Sequence, residues 1–182
     1  MWHGDLVRLR AVEPEDWEAL FEWGIDFEAM GLGGDMPLPP SREAMKKWAR
    51  DLAEREGKDD TFHWVIETLD GEFVGMIETH RCSRRHGTFQ YGIAVRREQW
   101  RKGYASEAIR LVLAYYFREL RYQKVNANAF SFNEASLQLH RKLGFCQEGR
   151  LRRVVFADGG FHDEVVFGMT AEEFEQTQTP QP

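Results

Sequence analysis

With 182 residues, 42% of them hydrophobic and 13% aromatic, the chain has the size of one ordinary domain, able to bury about 70% of its unfolded surface without disulfides or a structural metal. No apolar run approaches the roughly 20 residues that cross a bilayer, and a formal charge of −6 with acids and bases interspersed provides no basic stripe for nucleic acid. The opening MWHGDLVRLRAV has no charged segment followed by an apolar core, and Cys82 and Cys146 have neither metal nor redox spacing, so the expected setting is a reducing cytoplasm with no membrane partner.

Residues 6–11 alternate Leu6, Arg8 and Arg10 against Val7, Leu9 and Ala11, the period of a half-buried strand, and Pro14 follows where a first helical turn tolerates it. The helix there carries Trp17, Leu20, Phe21 and Gly24 on one face. After the loop GLGGDMPLPP a second helix starts at Ser41, with Met45, Trp48 and Leu52 directed inward. The aromatics Trp17, Phe21, Trp23, Phe27 and Trp48 are mainly core, with a few left to line a cleft. Residues 62–68 and 73–80 flank Asp70-Gly71 as a hairpin. Residues 88–95 add a strand with Phe89, Tyr91, Ile93 and Val95 on one face, and Gly92 marks a bulge or a point of close approach.

From Ala105 an apolar stripe through Ala108, Ile109, Val112, Leu113, Tyr116, Phe117 and Leu120 predicts a helix of about four turns. Residues 124–130 form a further strand, Asn133 caps a helix that runs to Leu143, and Gly144 ends it. Two long strands over 145–156 and 161–169 surround Asp158-Gly159-Gly160, and Thr170 with Glu173 makes a capping box for a terminal helix. Hairpins interrupted by crossover helices predict a mixed sheet in a single α+β domain over residues 1–176, with 177–182 as a disordered tail.

The stretch EQWRKGYASEA at 98–108 places two basic residues and a glycine directly before the strongest helix. A helix start has unpaired N–H groups and the positive end of the macrodipole, so the amides from Arg101 to Ser106 could curl around a pyrophosphate. An ordinary helix entry with surface Arg101 and Lys102 accounts for the same residues about as well. No GxxxxGKS/T motif occurs, and GLGG has no strand before it.

The segments GIAVRREQWRKGYASEAIRLVLAYYF and NEASLQLHRKLGF resemble the two hallmark segments of the GCN5-related N-acetyltransferases, especially the branch of ribosomal-protein alanine and spermidine N-acetyltransferases. The family pattern Q/R-x-x-G-x-G/A falls on Trp100, Arg101, Lys102, Gly103, Tyr104 and Ala105, departing at Trp100. The resemblance implies a mostly antiparallel twisted sheet of about seven strands flanked by about four helices, with two parallel strands splayed into a cofactor cleft. It implies acetyl-CoA as donor and direct transfer to an amine. The backbone of Ile93, Ala94 and Val95 would pair with the pantetheine arm, Arg101, Lys102, Gly103, Tyr104, Ala105 and Ser106 would hold the pyrophosphate, and Asn133 with Ser136 nearby would touch the cofactor. For Asn133, a plain N-cap is the alternative.

Direct transfer asks for a neutral amine, a donor to the carbonyl oxygen as it gains charge, and an acid for the thiolate. The strand amide near Val95 suits the second task. Relatives often place a tyrosine four residues before the glycine of LGF, where this chain has His140, the candidate acid; a histidine without catalytic duty is the alternative. Glu78 is the first candidate base, by likeness to spermidine-acetylating relatives, with His80 or an ordered water behind it.

His80, Cys82 and His86 lack standard zinc spacing, so no metal is expected. Arg81, Arg84 and Arg85 form a solvated turn or meet a phosphate or acidic partner. The function expected is therefore acetyl-CoA-dependent N-acetyl transfer to a small-molecule or peptide amine, either a protein N-terminus or a polyamine. Thr88 stands where polyamine-acetylating relatives would have a further carboxylate. The alternative is a non-catalytic acyl-CoA-binding sensor or scaffold. The resemblance allows a homodimer.

Overall fold

The computed structural model describes residues 1–24, 40–55 and 57–178. Seven strands form one sheet in the order β1-β2-β3-β4-β5-β7-β6: β1 (Val7–Arg10), β2 (His63–Thr68), β3 (Phe73–Ser83), β4 (Thr88–Val95), β5 (Lys124–Phe130), β6 (Cys146–Ala157) and β7 (Gly160–Thr170). Every neighbouring pair is antiparallel except β4 and β5. The described residues hold five α-helices, one more than the expected four or so: α1 (Trp17–Trp23), α2 (Arg42–Ala53), α3 (Tyr104–Ala114), α4 (Glu134–Leu143) and α5 (Ala171–Gln178). The loop GLGGDMPLPP, apart from its last residue, and Phe27 lie outside the described residues.

Strand alternation sorts side chains onto two cores. On one face Val7, Leu9, Trp64, Ile66, Ile77, Phe89, Val125 and Phe167 pack under α3, α4 and α5. On the other, Val65 and Met76 meet Val12, Leu20 and Ala49, with Trp17, Trp23, Met45 and Leu52 packed around them. Trp48, expected to face inward, is 42% exposed. At 100° per residue Met45, Ala49 and Leu52 share a line along α2, and Trp48 falls on its flank.

The capping signals close the elements as their chemistry requires. Ser41 accepts from the Ala44 amide at 3.1 Å. Gly144, at φ 93°, ends α4 with the Phe145 amide bonded back to the His140 carbonyl at 3.0 Å. Thr170 and Glu173 exchange backbone-to-side-chain bonds of 2.8 and 3.2 Å, and α5 takes in Thr177 and Gln178 of the expected tail, the rest of which lies outside the described residues. The apolar stripe of α3 continues, but through a π-helical turn at Tyr115–Glu119 in which the Leu120 amide reaches the Tyr115 carbonyl at 3.2 Å. Tyr116 and Phe117 in that turn are both buried.

Candidate functional site

The sheet opens between its two parallel strands. β4 and β5 pair only at Thr88 with Lys124, Phe89 with Val125 and Gln90 with Asn126. Beyond Gln90, β4 continues along β3 to Val95, whereas β5 continues along β7 to Phe130. Sheet twist thus separates them into a V. The Arg96 amide donates to the Val74 carbonyl at 2.9 Å, which fixes the alternation: main-chain groups of Gly92, Ala94 and Arg96 face β3, and those of Ile93 and Val95 face the gap. A Cβ on Gly75 would lie 2.2 Å from the Ala94 oxygen, in keeping with that direction. Of the three residues expected to pair with a pantetheine arm, Ala94 therefore lends the gap no peptide group of its own.

The gap leads into the turn ahead of α3. After a short 3₁₀ segment at Arg97–Gln99, Arg101 takes φ 62° and Gly103 φ 88°, and the left-handed Gly103 directly before the right-handed helix gathers successive amides into a concave, anion-attracting nest. The first helical bond runs from the Glu107 amide to the Gly103 carbonyl at 3.1 Å, so the amides of Tyr104, Ala105 and Ser106 lie ahead of it at the positive end of an 11-residue helix. The Lys102 ammonium bonds the Gln99 side-chain oxygen at 2.7 Å. The Glu107 carboxylate accepts the amides of Asp5, Leu6 and Val7 at 2.9, 2.8 and 2.7 Å, which commits its charge to the N-terminal segment. Asn133 and Ser136 stand at the start of α4, on the other arm of the V, where the Asn133 side chain accepts from the Ser136 amide at 3.0 Å.

Trp100, the departure from the family pattern, donates its indole N–H to the Val95 carbonyl at 2.7 Å. It ties the end of β4 to the turn and holds the gap and the nest in one register. Trp100→Phe keeps the ring and deletes the donor; the expected result is a roughly three- to tenfold rise in KM for acetyl-CoA with kcat little changed, as one neutral hydrogen bond permits. Steady-state kinetics with acetyl-CoA varied checks this.

His140 departs from expectation. It is 3% exposed, stacks on Phe167 at 5.1 Å, and places Nδ1 2.8 Å from the Ser136 carbonyl and Nε2 2.9 Å from the Tyr91 hydroxyl. A carbonyl only accepts, so Nδ1 carries the proton and Nε2 receives the Tyr91 O–H. Burial lowers its pKa, against a smaller opposing effect of the Ser136 bond. A neutral imidazole with its one proton spent on a carbonyl is a poor acid, so the geometry speaks for a tie between α4 and β4 instead. Such a group binds protons in the unfolded chain before it does in the fold, so stability falls as pH drops below about 6.5. Urea unfolding of His140→Phe between pH 7 and 5 should show a flatter fall, alongside a loss of about 1–3 kcal/mol at pH 7 from the stranded Tyr91 hydroxyl.

Glu78 lies on the face of α1 and α2, beside Gly92, where a Cβ would come 3.3 Å from its Oε1; Gly92 marks this close approach rather than a bulge, since its pairing with Glu78 is regular. Its Oε2 is 2.9 Å from His63 Nε2, in a register that sets the two residues opposite each other across β2 and β3. The His63 bond is the largest cause holding the Glu78 carboxyl below the usual carboxylate range, with desolvation opposing and the charges of His63, His80 and Arg55 adding to it. A carboxylate so stabilised is a weak base, but it orients an imidazole. His63 was not singled out in the sequence; only the pairing of β2 with β3 reveals it.

The RCSRRHG loop is structural. Arg84 pairs with the buried Asp60, which also accepts from the Tyr122 hydroxyl at 2.8 Å. Cys82 donates to the Asp60 carbonyl at 3.1 Å, and burial pushes its thiol up. Among the described residues no three His, Cys, Asp or Glu side chains are placed to hold a metal, and no described helix is long and apolar enough to cross a membrane.

A family model described as an acetyltransferase (GNAT) domain matches residues 7–146. The chain is 42% identical to the SPbeta prophage-derived uncharacterized N-acetyltransferase YokL of Bacillus subtilis (strain 168) over 174 residues, which cover 96% of this chain and 95% of that one. It is 26% identical to the spermidine N(1)-acetyltransferase of Escherichia coli (strain K12) over 87% of this chain and 83% of that one. The fold is shared with a crystal structure of spermidine N-acetyltransferase from Vibrio cholerae in complex with CoA and spermine, at a TM-score of 0.82 and 20% identity, covering 94% of this chain and 99% of that one.

Proposed function

This chain belongs to the GNAT acetyltransferase family, and from that premise we propose that it moves an acetyl group from acetyl-CoA directly to a primary amine, bound on the face of Glu78 and His63. The observation that carries this reading is the continuity of the splayed β4–β5 gap with the left-handed turn before α3. The amides of residues 103–106 receive the diphosphate, and the peptide groups of Ile93 and Val95 receive the amides of the pantetheine arm as a strand edge receives a peptide. Asn133 and Ser136 border the same cleft from its other side.

In the reaction proposed, His63, held by Glu78, takes a proton from the ammonium so that the free amine attacks the thioester carbon. A main-chain amide at the end of β4 donates to the oxygen as it becomes negative. Collapse of the tetrahedral adduct expels coenzyme A as a thiolate, whose thiol pKa near 8.5 lets it leave; the surplus proton on the attacking nitrogen passes to that thiolate, directly or through water, and the imidazolium releases its own proton to solvent. His140 positions Tyr91 and α4 rather than supplying that proton.

The test is thiol release from acetyl-CoA across a panel of amines. Amine-dependent release is the expected result. Tight acetyl-CoA binding with no amine-dependent release by any member of the panel would instead identify a sensor or scaffold.

A further inference from the structure

A cavity of about 340 Å³ opens where β1 ends and leaves the first residues of β2 without a neighbour on that side. Four aromatic side chains, Trp2, Phe62, Trp64 and Tyr115, form one wall. They contact one another, with ring centroids 4.7 Å apart for Trp2 and Tyr115 and 5.3 Å for both Trp2 with Trp64 and Phe62 with Trp64. Tyr115 opens the π-helical turn after α3, a device that recurs where a helix must present a side chain to a ligand. Leu52 and Ala53, at the end of α2, line the same cavity.

The same cavity is bordered by His63, whose Nε2 binds Glu78. The aromatic rings and the proposed base therefore border one cavity, which wraps the open edge of β2, since His63 and Trp64 alternate along the strand and point to its two faces. The charge around the cavity is equally specific. Among the described residues that line it no carboxylate occurs, and the charged side chains are Arg10 and Arg55. Arg10 is held by Asp16 at 2.7 Å and Glu67 at 2.8 Å, so those two acids are already matched. A polyamine carries further ammonium groups that need carboxylates, and here they would meet guanidinium groups instead.

We infer that this cavity is the acceptor subsite and that the acceptor is a primary amine carrying an aromatic or bulky apolar group close to its nitrogen. The inference rests on the acetyl-transfer reading above and narrows it. Cavities of this size with mostly apolar walls and a few polar groups are the usual form of a small-molecule site. Burying one ring against such a wall is worth about tenfold or more in selectivity over an amine without it. A free arylalkylamine and a peptide whose first residue is aromatic share this chemistry.

The experiment compares kcat/KM for phenethylamine, a short peptide starting with phenylalanine, butylamine and spermidine, in the wild type and in Ala53→Phe, which inserts a ring into the cavity from α2. Tyr115→Leu, which removes a wall ring, is the second variant should the first fold poorly. The expected result is a preference of about tenfold or more for one or both aromatic acceptors over butylamine and spermidine, lost in either variant. The better of the two aromatic acceptors identifies the source. Spermidine or butylamine as the preferred acceptor, or variants that reduce all four alike, overturns the inference. Titration of tryptophan fluorescence with phenethylamine separates the two levels, because Trp2 and Trp64 line the cavity. Saturable quenching that Ala53→Phe abolishes, without thiol release from any amine, keeps the subsite and sinks the transfer reading; no quenching and no aromatic preference sinks the subsite.

Discussion

His63→Gln is expected to lower kcat by about 100-fold while leaving KM for acetyl-CoA within about twofold. Glutamine keeps a donor to Glu78 but cannot take a proton, so the change isolates base catalysis, which is typically worth 10² or more. The pH profile carries the sharper information. In the wild type kcat/KM should rise through a limb set by the imidazole, because the ammonium must lose its proton to a neutral ring. In His63→Gln that limb disappears. In Glu78→Gln it survives with a lower plateau, since the carboxylate that orients the ring, 2.9 Å from Nε2, is gone. Profiles that match the wild type in both variants would return the proton transfer to water or to His80.

Gly103→Val should weaken acetyl-CoA binding by about 30- to 100-fold. At φ 88° a side chain is strained whatever the space around it, and a Cβ there would stand 3.1 Å from Leu6 Cδ1. A residue with a Cβ pays roughly 1–2 kcal/mol in the left-handed region, and a β-branched one more. Relief of that strain moves the amides of 103–106 out of their common direction. Gly159→Ala supplies the control, since Gly159 has φ 76° with no atom within 4 Å of its Cβ position. It carries comparable backbone strain in the β6–β7 turn, so it should lower the unfolding midpoint without changing the dissociation constant for acetyl-CoA. Isothermal calorimetry on both proteins checks the pair; equal weakening in both would mean a general loss of folded protein.

The order of strands and helices was legible because local chemistry dictates it. The stripe from Ala108 to Phe117, the Asn133 and Gly144 caps and the Thr170–Glu173 box each involve residues within one or two turns of each other. The turn before α3 was legible for the same reason, as a glycine and small residues at a helix start. What escaped were properties that depend on residues brought together from afar. His63 becomes interesting only when β2 pairs with β3 and places it against Glu78, 15 positions along the chain. The sequence offers His140 as the candidate acid, yet Tyr91 and Phe167 from two strands enclose it. The π-helical turn at Tyr115 cannot be told from an α-helix by an apolar stripe, because one inserted residue rotates the pattern by only a fraction of a turn. Trp48 missed the core for a related reason, lying 60° from the line through Met45.

The most direct measurement is a crystal structure of the protein with coenzyme A. The account predicts the diphosphate within hydrogen-bonding distance of the amides of residues 103–106 and the pantetheine chain lying between β4 and β5 against Ile93 and Val95. A coenzyme A molecule bound with its diphosphate elsewhere, and the β4–β5 gap left empty, would contradict it.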